Sequence, residues 1–414
     1  MNPITARTIF TSLLFVALSL NLVLVEGILT SRRLAIGAML VVFILNYNKK
    51  ALFIYKRLDV GLMTLILFMV VLFSVVSFVV NEGEAGVLGV YFVYTLIMQL
   101  FVFMLFSFCV FEVGGVDAKL LARLFIFIGL ALAIIPLVAF FKEFNFATVT
   151  RLATIRNYID DFLPRGQNFY LTFMSVFVSV GFASMLGMLK LSWVWRSLSL
   201  FLLLASIFLF IITGSRQFLL VVIGSCLIIS IFSFPLRNIS IVLIGCAAIF
   251  AVFYFNEYAV FDNVVIQTSM DRISNASLTG SQYDGGRVYR YEMMFGYISS
   301  SPFLGEGPNA LLYDVNLYSD SSWLQLAAEI GLFPTLLIFL GVSFLVFYMF
   351  IVYFKPWTSQ PLRFFYLALL SCFAVHSILL MALNDILAEY YLWLLVPILM
   401  LVRIAGQKTA ASES

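Results

Sequence analysis

Arginines are the residues of this sequence whose type and placement best suit chemistry, because several lie in polar stretches between long apolar runs. Arg216, in the segment TGSRQ (213–217), is the only charge where two apolar runs meet. Arg287 and Arg290 follow a Gly-Gly pair and are three residues apart, which places them on one face of a helix. Guanidinium groups present a planar fork of donors that fits phosphate and carboxylate. The set, which also includes Arg151, Arg156, Arg165 and Arg272, therefore predicts a site for an anion.

Arg216 directly precedes the apolar run 217–234, so we expect it at the N-terminus of a helix. Backbone N–H groups without partners and the positive end of the macrodipole favour anions at such an end. Thr213 or Ser215 can cap this helix, and Gly214 permits a tight turn before it. The alternative interpretation is an arginine that reaches lipid headgroups from an ordinary turn.

Four acidic residues near these motifs are candidates for contacting a substrate. Asp320 stands just before the apolar run 323–354, either as a helix cap or as an acid that faces the preceding loop. Glu329 lies about two turns into that run, where an ionisable group normally faces a wet cavity. Asp320 is the leading candidate for the group that orients or deprotonates an acceptor hydroxyl, with Asp284 and Glu292 as alternatives.

The sequence favours neither a metal site nor another cofactor. It has no Asp-x-Asp pair at the end of an apolar run, no His/Cys cluster and no glycine-rich nucleotide loop. His376, the only histidine, lies in an apolar run and is expected to pack there with a hydrogen bond. The cysteines are expected to be packed free thiols, at Cys109, Cys226, Cys246 and Cys372.

Composition places these residues in a membrane protein. Hydrophobic residues make up 63% of the chain and charged ones 11%, and the mean hydropathy is +1.08. This leaves too little polar surface for a soluble domain. Apolar runs of about 20 residues without alternation predict helices that satisfy their own backbone hydrogen bonds in lipid. We therefore expect an all-α polytopic membrane protein with about twelve transmembrane helices, at roughly 9–28, 34–46, 59–80, 87–111, 119–141, 167–189, 193–212, 217–234, 238–255, 323–354, 363–383 and 387–404.

Three regions follow from this pattern. They are a transmembrane bundle of about nine spans over 1–255, one large extracytoplasmic loop over 256–322, and C-terminal spans with a tail over 323–414. A short amphipathic helix is predicted at about 287–299, and Pro302 is expected to end it. The segment PFLGEGPN, which begins with this proline, predicts a glycine-rich turn. The run 323–354 is predicted to be one helix about 48 Å long. Because the hydrocarbon layer is about 30 Å thick, such a helix must tilt or project outward.

Lysine and arginine placement predicts the orientation of the spans. With a cytoplasmic N-terminus, fourteen of the 24 basic residues lie in cytoplasmic segments, and the C-terminus is also cytoplasmic. Every short loop except the first then obeys the positive-inside rule. Nine of the ten basic residues on the opposite face are arginine, whereas lysine and arginine are equally frequent inside. The predicted anion site therefore faces away from the cytoplasm.

The order of three motifs resembles the O-antigen ligase and O-antigen polymerase superfamily. These are TGSRQFLL at the head of a span, a long outward loop with GGR, a proline and GEG, and a polar pair followed by E-x-G in another span, all within about 210–335. The resemblance implies a bacterial inner-membrane enzyme with a glycosyltransferase-C-like fold that acts on undecaprenyl-diphosphate-linked glycans at the periplasmic face. It further implies an inverting, metal-independent glycosyl transfer in which Arg216 and Arg287 engage the lipid-linked diphosphate.

One departure from the family pattern favours a polymerase over a ligase. Ligases of this family typically carry a His-Asn pair eleven residues before the glycine of E-x-G, with the histidine taken as catalytic, whereas this sequence has Asp320-Ser321. The hypothesis is that a sugar hydroxyl of one lipid-linked repeat attacks the anomeric carbon of a glycan on undecaprenyl diphosphate. Catalysis is assigned to Asp320, Arg287 and Arg216, diphosphate binding to Arg216, Arg287 and Arg290, and further substrate contacts to Arg151, Arg156, Arg165, Asp284, Glu292 and Glu329.

Three alternatives remain open from the sequence. A ligase that transfers glycan to lipid A core is the nearest. A flippase or other transporter of lipid-linked oligosaccharides is expected to show internal repeats and charges buried in mid-membrane. A channel or scaffold does not require the outward bias to arginine. The expected partners are lipid-linked glycans, membrane lipids and a polysaccharide chain-length regulator, and we expect no nucleic acid.

Overall fold

The computed structural model describes residues 3–20, 23–25, 29–46, 57–81, 86–113, 116–143, 166–213, 216–233, 285–308, 322–379 and 390–407. Within these ranges the chain forms thirteen helices and one two-stranded antiparallel hairpin. The helices are α1 Pro3–Leu20, α2 Ser31–Asn46, α3 Leu58–Val80, α4 Gly86–Val113, α5 Ala118–Glu143, α6 Gly166–Met185, α7 Trp193–Thr213, α8 Arg216–Phe232, α9 Gly285–Ser300, α10 Ser322–Ile330, α11 Leu332–Phe354, α12 Gln360–Leu379 and α13 Tyr390–Gln407. The strands are β1 Val23–Val25 and β2 Leu29–Thr30.

Several helices in the described ranges have the length and apolar character of membrane spans. Five are long enough to cross a membrane: Pro3–Leu20, Leu58–Val80, Gly89–Glu112, Ala118–Val138 and Leu332–Phe354. Four shorter ones are also apolar: Phe173–Met185, Trp193–Leu209, Phe218–Phe232 and Leu392–Gly406. The prediction of a helical protein is therefore confirmed for the described residues, and their long apolar helices support a membrane-embedded protein. The predicted span 238–255 lies outside the described residues. The other predicted spans overlap helices of the structure, and two of them, 9–28 and 323–354, differ from the helices observed.

The first difference is the end of the first span, which was predicted at 9–28. Helix α1 covers Pro3–Leu20 instead, and Val23–Val25 pairs with Leu29–Thr30 as two short strands. The apolar run continues through both structures, so hydropathy does not separate them. Val23 and Val25 are β-branched and two residues apart, which favours an extended chain.

The second difference is the predicted single helix 323–354, which is wrong. The chain forms α10 and α11, and Gly331 separates them with φ 97° and ψ 154°. This region of backbone space is essentially restricted to glycine and cannot continue a helix. The 48 Å span is therefore replaced by a helix of 9 residues followed by one of 23 residues.

Helix α11 has the surface expected of a helix in lipid. Its inward residues are buried and apolar, among them Ile338, Val342, Leu345 and Met349. Its outward residues are apolar as well, among them Leu336, Leu337, Leu340, Phe344 and Phe347. A helix that is apolar on all sides buries one face against protein and exposes the other to acyl chains.

Helices α6 and α12 form the centre of the bundle. Helix α6 packs against α5, α7, α8 and α12, and its residues 173–184 are all buried. Ser175 of α6 contacts two polar groups of α12: its Oγ lies 2.9 Å from His376 Nε2 and 3.4 Å from Cys372 Sγ. His376 is fully buried, so its predicted packing role is confirmed. The thiols of Cys109 and Cys372 are buried and free of disulfides as predicted, Cys226 is buried, and Cys246 lies outside the described residues.

Basic side chains gather at one end of the bundle, which we call the basic end. Arg123 lies over the Trp195 ring at 5.7 Å, which brings the starts of α5 and α7 together. The Phe125 and Phe365 rings, 5.4 Å apart, place the start of α12 beside them. Arg363 lies over the Tyr353 ring at 4.5 Å, so α11 ends there too. The described basic residues at this end are Arg7, Arg57, Lys119, Arg123, Lys190, Arg196, Lys355, Arg363 and Arg403.

A buried ion pair joins three helices at the basic end. The Arg403 Nη1 of α13 donates to Asp59 Oδ2 of α3 at 3.1 Å and to Tyr348 Oη of α11 at 3.0 Å. The side chains of Arg403 and Asp59 are 16% and 4% exposed. This pair fixes the start of α3 against the ends of α11 and α13.

Removing one partner of this pair is expected to destabilise the bundle more than removing both. Arg403→Met leaves the Asp59 carboxylate buried without its cation, which is expected to cost about 3 kcal/mol of unfolding free energy. The double variant Asp59→Leu/Arg403→Met is expected to recover most of this loss, because it leaves no unpaired charge. Thermal unfolding in detergent measures the effect. The control is Lys355→Met on an exposed residue at the same end, and additive losses in the double variant would contradict the pairing.

Candidate functional site

The predicted glycine-rich turn and the end of α10 form one interlocked structure. The Glu306 N–H donates to the Ala328 carbonyl at 2.9 Å, and the Gly307 N–H donates to the Glu329 carbonyl at 3.1 Å. In return, the Phe333 N–H at the start of α11 donates to the Pro302 carbonyl at 3.2 Å. The carbonyls at the end of α10 have no partner within their own helix, and the turn supplies donors to them. We call residues 301–308 the GEG turn.

Two glycines make this close approach possible. Gly305 has φ 66° and Gly331 has φ 97°, both in the left-handed region that disfavours side chains. A Cβ on Gly305 would overlap the Glu329 carbonyl, and one on Gly331 would lie 2.5 Å from the Phe303 carbonyl carbon. Each glycine thus lies against the backbone of the other segment. The rings of Phe303 and Phe333 stack across the junction, with their centroids 4.6 Å apart.

Helix α9 forms as predicted and packs on α10 through one apolar face. It covers Gly285–Ser300 and ends just before Pro302, which cannot continue a helix. Met294 and Ile298, four residues apart, are buried against Ala327 and Ala328. Small residues on α10 let the two helices approach closely. Tyr291, Tyr297 and Leu324 complete this contact.

The two helices run in the same direction. The end of α9 is joined to the end of α10 through Glu306, whose carboxylate accepts from Ser300 Oγ at 2.6 Å and whose N–H donates to the Ala328 carbonyl. Because the helices also contact each other along their length, their N-terminal ends lie on the same side. Both N-terminal ends therefore point away from the GEG turn, and Trp323 at the start of α10 packs on Phe339 of α11, with the ring centroids 5.2 Å apart.

Arginines occupy the N-terminal ends that the sequence predicted. Arg216 is the first residue of α8, so its predicted position at a helix N-terminus is confirmed. Arg287 and Arg290 lie in the first two turns of α9, on the face that continues to Met294. The side chains of these three arginines are outside the described part of the structure. Six further candidates lie wholly outside the described residues: Arg151, Arg156, Arg165, Arg272, Asp284 and Asp320.

The start of α8 lies toward the same side of the bundle as the GEG turn. Helix α8 ends beside the end of α11, where Tyr353 Oη donates to the Phe232 carbonyl at 3.0 Å and the Phe232 ring stacks on Phe350 at 5.1 Å. This is the basic end. Both helices therefore begin toward the opposite end, α11 beside the GEG turn and α8 at Arg216.

The two remaining acidic candidates have different surroundings. Glu292 is exposed on the outer surface of α9. Glu329 was expected to face a wet cavity, but its side chain is 1% exposed, and its carboxylate accepts from Gln325 Nε2 at 2.9 Å. Gln325 lies one turn before it on α10, so this is a bond within the helix. We interpret Glu329 as part of the support of the site.

Residues 199–340 match the model of the O-antigen ligase family. This supports the O-antigen ligase and polymerase superfamily. The matched segment begins in α7 and ends in α11, so it contains Arg216, the arginine pair of α9, the GEG turn and Gly331. It also encloses the range 210–335 in which the motifs resemble the superfamily. No curated protein matches the chain.

The segment that matches the family model contains both halves of the interlocked structure, the GEG turn and the end of α10. The motifs GEG and E-x-G are separated by more than twenty residues in the sequence, and the structure joins them through backbone hydrogen bonds. A surface polysaccharide ligase or polymerase role is supported, and the match does not distinguish between the two activities.

Two residues of the site were missed because they lie far away in the sequence. Ser77 Oγ of α3 donates to the Glu329 carbonyl, and Asn81 Nδ2, just past the end of α3, donates to the Gly305 carbonyl. They lie outside the matched segment. In the sequence they end an apolar run, where a serine and an asparagine indicate only the end of a helix. Their role is visible only in the tertiary contacts.

Proposed function

We propose that this protein polymerises undecaprenyl-diphosphate-linked oligosaccharide repeats into O-antigen or a related surface polysaccharide. The observation that carries the proposal is the placement of Arg216 at the N-terminus of α8 and of Arg287 and Arg290 in the first two turns of α9, within a segment that matches the O-antigen ligase family. Fixed positive charge in that place suits a donor whose leaving group is a lipid diphosphate.

In the proposed reaction a sugar hydroxyl of one lipid-linked repeat attacks the anomeric carbon of another glycan. A new C–O bond forms as the bond from the anomeric carbon to the diphosphate oxygen breaks, with inversion at that carbon. The electron pair leaves on the diphosphate, where Arg216, Arg287 and Arg290 and the N-terminus of α8 stabilise the developing charge. The hydroxyl proton passes to Asp320, with Asp284 or Glu292 as alternative acceptors. The lipid diphosphate is a good leaving group, so the proposed step uses no metal ion.

The reaction is proposed to occur at the periplasmic face of the bacterial inner membrane. Basic residues at one end of the bundle support a cytoplasmic position for that end, according to the positive-inside rule. The GEG turn and the start of α8 then lie toward the opposite side. The N- and C-termini are cytoplasmic in this arrangement, and the bundle has about twelve spans in a glycosyltransferase-C-like fold.

A ligase is the second candidate, since the family whose model matches is described as O-antigen ligase. We favour the polymerase because Asp320-Ser321 stands where the ligases of this family carry a His-Asn pair. A carboxylate and an imidazole can each accept a proton, so the replacement changes the proton acceptor and leaves the diphosphate site unchanged.

Purified protein in nanodiscs, given synthetic lipid-linked repeats alone, is expected to extend them into a ladder of products. A polymerase needs no other acceptor, because each repeat is both donor and acceptor. The measurement is gel analysis of labelled glycan, with Arg216→Ala protein as the matched control. A single transfer that requires added lipid A core would instead establish a ligase. Unchanged substrates with both acceptors would contradict glycosyl transfer and favour a flippase.

A further inference from the structure

Helix α3 holds the GEG turn and α10 in place from outside the matched segment. On the basis of the transfer reaction inferred above, we propose that Ser77 and Asn81 are positioning residues of the transfer site. They act through the Glu329 and Gly305 carbonyls. The family match begins more than a hundred residues later, at residue 199.

The hydroxyl of Ser77 connects α3 to the end of α10. Its hydroxyl is fully buried and donates to the Glu329 carbonyl at 2.7 Å. That carbonyl also accepts from the Gly307 N–H at 3.1 Å. Glu329 is the penultimate residue of α10, so its carbonyl has no partner in its own helix. One oxygen thus joins three segments: α3, the GEG turn and α10.

Asn81 joins the turn to the end of α3. Its Nδ2 donates to the Gly305 carbonyl at 3.1 Å and to the Ser77 carbonyl at 2.9 Å. The Gly305 carbonyl belongs to the residue that lies against Glu329. Asn81 therefore holds the turn at its point of closest approach to α10. The amide also approaches Ser77 Oγ at 3.4 Å, which links the two supports.

Helix α3 is suited to this role because it is fixed elsewhere. Its 23 residues span about 35 Å. The Asp59–Arg403 pair fixes its start at the basic end. Along its length it packs closely on α11, where a Cβ on Gly341 would lie 3.2 Å from the Ile66 side chain. A displacement of α10 or the turn therefore has to break bonds to a helix that is fixed at its start and along its length.

The arginines of α9 depend on this support through an unbroken series of contacts. Helix α9 packs on α10 through Met294 and Ile298, and its end is tied to the turn through Glu306. A shift of α10 or the turn therefore moves the first turns of α9, where Arg287 and Arg290 lie. A misplacement of about 1 Å in a site can cost about 100-fold in rate.

The test compares Ser77→Ala with Ser74→Ala. Ser74 lies one turn away on α3 and is equally buried, and its hydroxyl has no partner among the described residues. Ser77→Ala is expected to lower kcat for lipid-linked repeats about tenfold with little change in KM, and Ser77→Thr is expected to restore kcat. Ser77→Ala is also expected to speed amide exchange at Glu306 and Gly307. Ser74→Ala is expected to match the wild type in all three measurements.

Asn81→Leu provides a second variant that removes a donor without removing a buried hydroxyl. It is expected to lower kcat and speed exchange in the GEG turn in the same way. Equal kcat and exchange in Ser77→Ala and Ser74→Ala would overturn the proposal, and so would a loss of kcat that Ser77→Thr does not restore. If the wild-type protein transfers no glycan, the proposed function is wrong. The amide exchange rates at Glu306 and Gly307 still decide whether α3 supports the GEG turn.

Discussion

Replacing Arg216 by alanine is expected to lower the rate of glycan transfer about 100- to 1,000-fold, the cost of removing one preorganised donor from a developing anion. Arg216 is the first residue of α8, where its guanidinium adds to the unpaired N–H groups and the positive end of the macrodipole. The charge on the diphosphate grows as the anomeric bond breaks, so the loss appears chiefly in kcat. Arg216→Lys keeps the charge without the planar fork and is expected to give an intermediate rate.

The control for this prediction is Arg33→Ala. Arg33 is an exposed arginine in the first turn of α2, away from the basic end, and is not part of the proposed site. It is expected to transfer glycan at the wild-type rate. Arg216→Ala/Arg287→Ala is expected to lose less than the product of the single losses, because both side chains act on one diphosphate. Well-expressed Arg216→Ala protein that still makes full-length ladders would exclude the diphosphate role.

Apolar runs predict the described helices well, since membrane spans need long stretches without charge. The run 59–80 becomes α3 at Leu58–Val80, and 87–111 becomes α4 at Gly86–Val113. The amphipathic segment 287–299 becomes α9 at Gly285–Ser300. In each case a change in polarity or a proline marks the end of the helix. Length and hydropathy therefore carry most of the information about where the helices lie.

The break at Gly331 shows where hydropathy fails. Residues 323–354 are apolar almost throughout, and a glycine inside such a run is tolerated in a helix. The break arises because the Phe303 backbone lies against Gly331, a contact between segments that the sequence does not display. Gly305 and Gly331 belong to the motifs GEG and E-x-G, and neither motif indicates that the two glycines meet.

The sequence located the parts of the site and not their arrangement. Arg216 at a helix start and the arginine pair on α9 follow from local patterns of charge and glycine. The support from Ser77 and Asn81 does not, because more than 220 residues separate each of them from its partner. Glu329 looks like a functional acid in a span, and its burial beside Gln325 is seen only after folding.

Gly331→Ala is expected to damage both the fold and the transfer reaction. An alanine at φ 97° and ψ 154° is strained by about 1–3 kcal/mol. Its Cβ would also lie 2.5 Å from the Phe303 carbonyl carbon, so the GEG turn must move away from α10. This displacement breaks the bond from the Phe333 N–H to the Pro302 carbonyl. We expect a loss of about 3 kcal/mol or more in unfolding free energy and at least a tenfold fall in transfer rate.

Gly296→Ala is the matched control for this prediction, since it makes the same substitution inside α9. A Cβ on Gly296 meets nothing within 4 Å, and its backbone is helical. Alanine is therefore expected to stabilise the helix by up to about 1 kcal/mol without affecting transfer. Thermal unfolding in nanodiscs and the rate of ladder formation measure both variants. Equal unfolding temperatures and equal rates for the two would show that the junction between the GEG turn and α10 is not closed in the working protein. A fall in rate for Gly331→Ala alone, with the folded fraction matched, would show that the arginines of α9 depend on that junction.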